Sequence, residues 1–405
     1  MASTGRPPAV LIIVENLPVP FDRRVWNEAT TLAAAGYRVS VICPVGRDAE
    51  ERHVVLDDVH VYRHPMPLEA NGALGYALEY GSALFHEFRL AWRVWRERGF
   101  DVIQGCNPPD LIFLVALPFK WLFGTRFVFD HHDVNPELFE AKFGKRGLLW
   151  RVVVLWERLT FHFADRSIAT NESYRRIALT RGRMAPEKVT VVRSGPKLER
   201  MRIMEPDPAL RNGRRHLVGY VGVIGKQEGI GYLLKAARLL RDQGVDVLFR
   251  LCGDGPEVPA LLVERDRLGM AEDVIFEGRV PDDRLLAVLN SADVLVNADE
   301  ANPMNDLSTM NKILEYMALA KPIVQFDLTE GRFSAGEASL YAKANDVEDF
   351  ARCIASLLED PARRAEMGAF GRRRLVEHLS WDHEAPKYLA VYRDLIGPPT
   401  VETAR

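Results

Sequence analysis

Three stretches of the sequence combine residue types that hold anions or move charge. The first is a glycine-rich turn, Gly219-Tyr220-Val221-Gly222-Val223-Ile224-Gly225-Lys226-Gln227-Glu228-Gly229. Its glycines let the backbone approach a diphosphate closely, and Lys226 adds a point charge. A plain strand-to-helix turn would use the same residues. The second stretch, 302–322, reads NPMNDLSTMNKILEYMALAKP. Ser308 or Thr309 is expected to cap a helix beginning near Met310, whose first amides favour an anion. Lys312 adds a full positive charge, and Glu315 follows at i+3 on a neighbouring face. Lysine and amides suit phosphates, and a carboxylate suits paired sugar hydroxyls. The expected ligand of this half is a nucleotide diphosphate; a capped helix with an ordinary surface ion pair is the alternative.

The third stretch is Asp130-His131-His132-Asp133, at the end of an apolar strand. Neighbours in an extended segment point to alternate sides, so few of these four could share one ion, and no metal is expected. Cys43, Cys106, Cys252 and Cys353 lie far apart with no CxxC spacing. Neither a zinc site nor a disulfide framework is implied, and a reduced, cytoplasmic setting is the simplest expectation. The adjacent pairs Asp57-Asp58 and Asp282-Asp283 read as solvated loop residues. After the first strand the chain runs Glu15-Asn16-Leu17-Pro18-Val19-Pro20-Phe21-Asp22-Arg23-Arg24. The GxGxxG fingerprint of nicotinamide binding is missing where it should stand. Asp22 is placed to cap the next helix. Arg23 and Arg24 then sit near its N-terminus, where contact with a phosphate or acceptor competes with a solvated first turn.

The elements that must position these residues form two series. Apolar runs at 9–14, 38–43, 101–104 and 126–129 read as strands, with a helix at 27–35 between the first two. The pattern restarts with strands at 217–221, 247–251, 274–276, 294–296 and 322–326 and a helix at 232–241. Continuous apolar strands separated by helices indicate parallel sheets covered on both faces. The expected fold is α/β, two Rossmann-like doubly wound domains facing across a cleft. Their expected bounds are 1–196 and 216–380, joined by a charged, proline-bearing linker at 197–215. A helical tail at 381–405 is expected to pack back towards the first domain. A length of 405 residues with 47% hydrophobic content gives each domain ample core. The net charge of −3 argues against a general nucleic-acid binder. No run of 18 or more apolar residues is present, so no spanning helix is expected.

In order and spacing, FDRRVWNEATTLAAAGYRVSVICP, FVFDHHDVNPELF, YVGVIGKQEGIGYLLKAA, CGDGPE, VIFEGRV followed by SADVLVNA, MNKILEYMALAKPIV and SWDHEAPKYLAVY resemble the family 4 retaining glycosyltransferases of the GT-B fold. The subgroup most alike acts in bacterial exopolysaccharide and O-antigen assembly. The resemblance implies that Glu315, the second carboxylate of an E-x7-E motif, binds the donor ribose. It implies that Lys312, with Asn311 beside it, lies near the diphosphate, and that His132 approaches the transferring sugar. Gly222 and Gly225 match the phosphate-side turn. Gln227, Asp306, Ser308 and Thr309 complete the expected donor side, and Arg23, Arg24 and Asp133 the acceptor or phosphate side of the first domain. Three positions depart from the pattern. Leu307 stands where the first glutamate is usual, so Asp306 or Asn305 is expected to substitute. Val223 and Glu228 replace a usual arginine and lysine, which leaves Lys226 to carry the phosphate charge.

The implied reaction is metal-independent, retaining transfer of a sugar from a nucleotide donor. The donor is a UDP-sugar by family habit, and no cofactor is needed. The implied acceptor is a glycan or polyprenyl-linked sugar. A nucleotide-sugar 2-epimerase and a non-catalytic, glycosyltransferase-like partner protein are the alternatives. Segments 86–98, 118–127 and 145–158 mix arginine with tryptophan and aliphatic residues. Such stretches suit either a core face with solvated arginines or the inner leaflet of the cell membrane.

Overall fold

The computed structural model describes residues 6–46, 49–65, 72–144 and 146–399, with side chains outside 72–80. Packing divides the chain into two units, Met1–Ser194 with Asp382–Arg405, and Gly195–Trp381.

In the first unit the strands are β1 (Ala9–Ile13), β2 (Arg38–Pro44), β3 (His53–Leu56), β4 (Val59–His64), β5 (Val102–Cys106), β6 (Arg126–His131), β7 (Arg166–Ala169) and β8 (Val189–Val191). They form one sheet in the order β3-β4-β2-β1-β5-β6-β7-β8. Every residue of β1 and β5 is buried, as strands covered on both faces require. All pairs are parallel except β3 with β4. The β3 edge alternates exposed and half-buried residues. Asp57 and Asp58 occupy the two left-handed positions of its turn, at φ 47° and 62°. This hairpin and the helix Gly72–Glu97 have no counterpart among the expected elements.

The second unit holds β9 (His216–Val221), β10 (Val247–Cys252), β11 (Val274–Gly278), β12 (Val294–Asn297), β13 (Ile323–Phe326) and β14 (Ser339–Ala342). Their order is β11-β10-β9-β12-β13-β14, all parallel. Alternate strand residues feed two cores. Val218 and Tyr220 face the helices Ile230–Asp242 and Val347–Glu359, while Leu217 and Leu295 face the helices Asp282–Ser291 and Asn311–Ala318. Asp282 and Asp283 therefore open a helix rather than lie in a loop.

Residues 197–215 belong to the second unit. Met201 and Leu210 are buried in its core, and the Met204 amide donates to Asn290 Oδ1. The helix Trp381–Ile396 begins at the unit boundary and runs on in the first unit, where Tyr388 and Tyr392 are fully buried. The four cysteines are free and buried.

Candidate active site

Each sheet reverses its strand order beside its first strand. β1 lies between β2 and β5, and β9 lies between β10 and β12. Ligands of open α/β sheets bind beyond the carboxyl ends at such switch points. The glycine turn follows β9, Asp299 follows β12, and His132 follows β6, the neighbour of β5.

In the second unit the buried Tyr316 pins the helix Asn311–Ala318 to both central strands. Its hydroxyl accepts from the Val221 amide at 3.0 Å and donates to the Val296 carbonyl at 3.2 Å. Lys312 thereby meets the glycine turn. Its Nζ lies 5.1 Å from the centre of the Tyr220 ring. A Cβ on Gly222 would stand 3.4 Å from Lys312 Cε. Two other glycines close the surrounding loops. A Cβ on Gly229 would lie 2.0 Å from the Ala298 carbonyl oxygen, and one on Gly253 1.8 Å from that of Gly222.

The charges here are already partnered by residues that sequence reasoning missed. Lys312 Nζ donates to Asp299 Oδ1 at 2.7 Å, and Asp299 is buried. Glu315 Oε1 accepts from Arg200 Nη1 at 2.8 Å. Arg200 also donates to both Asp282 oxygens. Burial works against the Arg200 charge, but the two carboxylates outweigh it and raise its pKa. Neither partner was legible from spacing: Asp299 is 13 residues from Lys312, and Arg200 is 115 from Glu315.

Several expected roles change. The Ser308 hydroxyl donates to the Met304 carbonyl, and Ser308 ends the short helix Pro303–Leu307. Met310 is the N-cap, and its own side chain makes no capping bond. Asn305 does not replace the missing glutamate. It is buried, and its Nδ2 donates to the carbonyls of Gln227 and Glu300. Asp306 turns both oxygens on Thr329, whose amide and hydroxyl donate at 2.8 and 3.0 Å. The Gly225 amide donates to Glu228 Oε2 at 3.0 Å, so this carboxylate occupies a donor expected for phosphate. Burial first, and then Asp299, raise the Glu228 carboxyl, with Lys312 opposing them. Lys226 is exposed and lines a cavity of about 300 Å³ with Tyr232, Lys235, Glu257 and Glu300, a cavity that Lys312 does not line.

In the first unit the Asn107 side chain folds the loop after β6. Its Oδ1 accepts from the amides of His132 and Asp133 at 2.7 and 3.1 Å. His132 Nε2 lies 2.7 Å from Asp130 Oδ2 and 3.0 Å from Arg24 Nε. Nδ1 is the ring nitrogen left for a ligand. Asp22 caps the helix Arg23–Ala34 by accepting from the Val25 amide, as expected. Arg23 is exposed on that helix. Arg24 departs from expectation, because it turns inward instead of facing a phosphate or acceptor. It donates to Asp130 Oδ1 at 3.0 Å, to the Val192 carbonyl at 2.9 Å and to Ser194 Oγ at 3.0 Å. Burial opposes the Asp130 charge, but Arg24 and His132 hold its carboxyl well below the usual range. Burial and the Asp130 charge push the Glu28 carboxyl well above that range, with Arg24 opposing them. Gln104 Nε2 donates to Glu28 and Asp130, and its Oε1 accepts from Tyr388 and Tyr392. His131 points to the other side, among Phe161 and Tyr174, and burial lowers its pKa to about 3. Burial raises the Asp133 carboxyl, with His132 opposing.

Glu28, Cys106, Asp130 and His132 place possible ligand atoms within 4.8 Å of one another. Arg24 supplies the positive charge there, 3.1 Å from Glu28 and 3.0 Å from Asp130. A metal would have to displace an arginine that also bonds to His132, the Val192 carbonyl and Ser194. These residues fit a buried ion-pair network and do not fit a resident ion.

The two sheets, their switch points and the placement of the loops define the GT-B class of two-domain α/β proteins. Residues 22–195 match the model of the glycosyl transferase 4-like domain, and residues 215–360 that of glycosyl transferases group 1. The chain is 29% identical to alpha-maltose-1-phosphate synthase of Mycolicibacterium smegmatis, over 67% of this chain and 74% of the relative. It is 26% identical to the MMP alpha-(1->4)-mannosyltransferase of Mycolicibacterium hassiacum, over 90% and 92%. The fold is that of Anabaena HepE, solved in complex with UDP-glucose, at TM-score 0.71 and 16% identity over 95% and 99% of the two chains. The chain belongs to the family 4 glycosyltransferases, and it is a glycosyltransferase.

Proposed function

We propose that the chain moves a sugar from a nucleotide diphosphate donor of the UDP class to a glycan or polyprenyl-linked acceptor, with retention and without a resident metal or cofactor. The observation that carries the reading is the cluster of Gly222, Tyr220, Lys312 and Asp299 beyond β9 and β12, with Glu315 three residues past Lys312. A diphosphate laid on the turn meets the Lys312 ammonium and the amides that open the helix Asn311–Ala318. Both stabilise the charge that develops as the nucleotide leaves. Glu315 accepts from the ribose hydroxyls. Its Oε1 is held by Arg200, which fixes the carboxylate before the ligand arrives.

His132 serves the sugar through Nδ1, because Asp130 and Arg24 take the other nitrogen. A double displacement needs two close carboxylates flanking the sugar. The residues placed here offer none in that arrangement, so the reading assigns acceptor deprotonation to the departing phosphate. A relative named as a capsular polysaccharide biosynthesis glycosyltransferase supports the acceptor class. A cytoplasmic site at the inner leaflet of the cell membrane goes with a polyprenyl-linked acceptor. No helix among the described residues is long and apolar enough to cross a membrane.

Thermal unfolding with UDP, GDP, TDP and ADP tests the donor. At about 100 times its dissociation constant a ligand stabilises by roughly 2.7 kcal/mol. A shift with UDP that Glu315→Ala abolishes is the expected result. A shift with another nucleotide alone would overturn the UDP assignment, and none at all would overturn donor binding.

A further inference from the structure

A cavity in the first unit lies away from His132. It has a volume of about 610 Å³ and is lined by Arg158 and His162 from the end of the helix Leu148–Phe163, and by Arg183 and Lys188 from the turn before β8. Phe161 and Met184 form part of its floor. The cavity lies at the amino ends of β7 and β8, whereas His132 follows the carboxyl end of the parallel neighbour β6. The strand length between them is about 20 Å at roughly 3.3 Å per residue. It therefore belongs to neither the donor nor the sugar site.

Its charge is one-sided. Arg181, also on the wall, is neutralised by Glu137 and Glu157. Arg158, Arg183 and Lys188 are exposed and have no hydrogen bond or ion pair among the described residues. No acidic side chain lines the cavity among those residues. Arg183 holds φ 55°, a left-handed conformation that glycine or asparagine adopts at lower cost. In a chain of net charge −3, this is a local concentration of unpaired cations.

The surface beside it is apolar in the same measure. Leu148, Arg151, Leu155, Arg158 and His162 recur at three- and four-residue spacing and form one exposed stripe of their helix. Leu148 is 77% exposed and Leu155 52%. At the helix end the ring of Trp121, itself 69% exposed, packs edge-on to Phe163. Leucine, tryptophan and arginine on one face are the composition of a surface that rests in the bilayer interface, with its cations at the level of lipid phosphates. A soluble anion would use the cations and leave the leucines without a role.

We infer that this cavity takes the phosphate headgroup of an anionic phospholipid, with the Leu148–Leu155 stripe and Trp121 entering the interface around it. The site is independent of sugar transfer, so its test reads membrane binding directly. The purified full chain is sedimented with vesicles of phosphatidylcholine alone and of phosphatidylcholine with about 30% phosphatidylglycerol, where each surface cation contributes about fivefold to partitioning. Binding to the mixed vesicles only is expected. Arg158→Gln with Lys188→Gln should lower it about 25-fold on the same scale. These side chains make no bond among the described residues, so the UDP-dependent thermal shift should survive and separate this result from a failure of donor binding. Leu148→Ser with Leu155→Ser should also weaken vesicle binding, and inorganic phosphate should not displace the wild type. Equal binding to both vesicles, or undiminished binding by the cation variant, overturns the inference. Displacement by phosphate together with an unaffected leucine variant overturns it in favour of a soluble anion site.

Discussion

Arg200 and Glu315, 115 residues apart, are joined by a 2.8 Å hydrogen bond between Nη1 and Oε1. The arginine comes from the segment that opens the second unit, and the glutamate from the helix that carries Lys312. Asp282 holds the rest of the guanidinium, so one rigid fork orients the carboxylate. Glu315 then keeps Oε2 for a ligand without reorganising.

Arg200→Ala should release that constraint. Each charged hydrogen bond of this half-buried kind contributes about 1.5 kcal/mol at most once solvent screening is allowed for. UDP should therefore bind about five- to tenfold more weakly by calorimetry. Arg200→Lys, which keeps the charge but loses the fork, should recover only part of the affinity. Unchanged affinity in Arg200→Ala would show that Glu315 needs no positioning.

Lys312 and Asp299 form a neutral pair where a diphosphate is proposed to sit. Asp299→Asn keeps the shape and removes one negative charge. The unliganded protein should lose roughly 3 kcal/mol, because Lys312 is left without its partner. UDP should restore more stability than it gives the wild type, since the diphosphate then meets an uncompensated cation. Thermal unfolding with and without UDP reads both numbers, and an equal ligand increment in the two proteins would contradict the argument.

Asp130 is buried between Arg24 and His132. Asp130→Asn removes one of the two carboxylates that face the buried Arg24 guanidinium and should cost about 3 kcal/mol at neutral pH. The sign with pH follows from its depressed pKa. The contribution is complete above the unfolded value of about 3.9 and is lost as pH falls through the lower folded value. The wild type and the variant should thus differ by a constant amount from neutral pH down to about 4 and converge only below it.

Much of this was legible in the sequence because local rules and tertiary packing agree. The AVLII run is a fully buried central strand, and the span 381–396 is the helix its pattern implies. Asp22 caps as its type and place suggest. The expectations that fail share one cause. Arg24 is expected to face a phosphate or acceptor and Asp306 the donor, and Glu228 stands only as a departure from a usual lysine, but each finds a partner inside the protein. Asp130, Thr329 and the Gly225 amide are those partners, and spacing along the chain does not announce the first two. The β3–β4 hairpin escaped because its strand alternates and turns on two aspartates rather than Asn-Gly.

Gly229 and Gly213 separate a steric requirement from a conformational one. Both have positive φ, 63° and 79°. A Cβ at Gly229 strikes the Ala298 carbonyl at 2.0 Å, whereas one at Gly213 meets nothing within 4 Å. Gly213→Ala should cost about 1 kcal/mol, the price of a left-handed alanine. Gly229→Ala must also move the turn that faces Lys312, so it should cost well over about 2 kcal/mol and weaken UDP binding. Equal losses from the two substitutions would mean that the loop after β12 yields freely.

His131 is fully buried among Phe129, Phe161 and Tyr174. Burial, with Arg181 adding repulsion, lowers its pKa to about 3. Between that value and the unfolded one of about 6.5, only the unfolded chain takes up the proton, so stability falls with pH across this window. One such group removes about 2 kcal/mol between neutral pH and pH 5. His131→Phe places a ring of similar size among aromatic neighbours and abolishes the uptake. The variant should therefore gain on the wild type as pH drops from 7.5 to 5, by about 4–8 °C in Tm for a unit of this size. Parallel Tm curves for the two proteins over that range would show that His131 is protonated in the folded state.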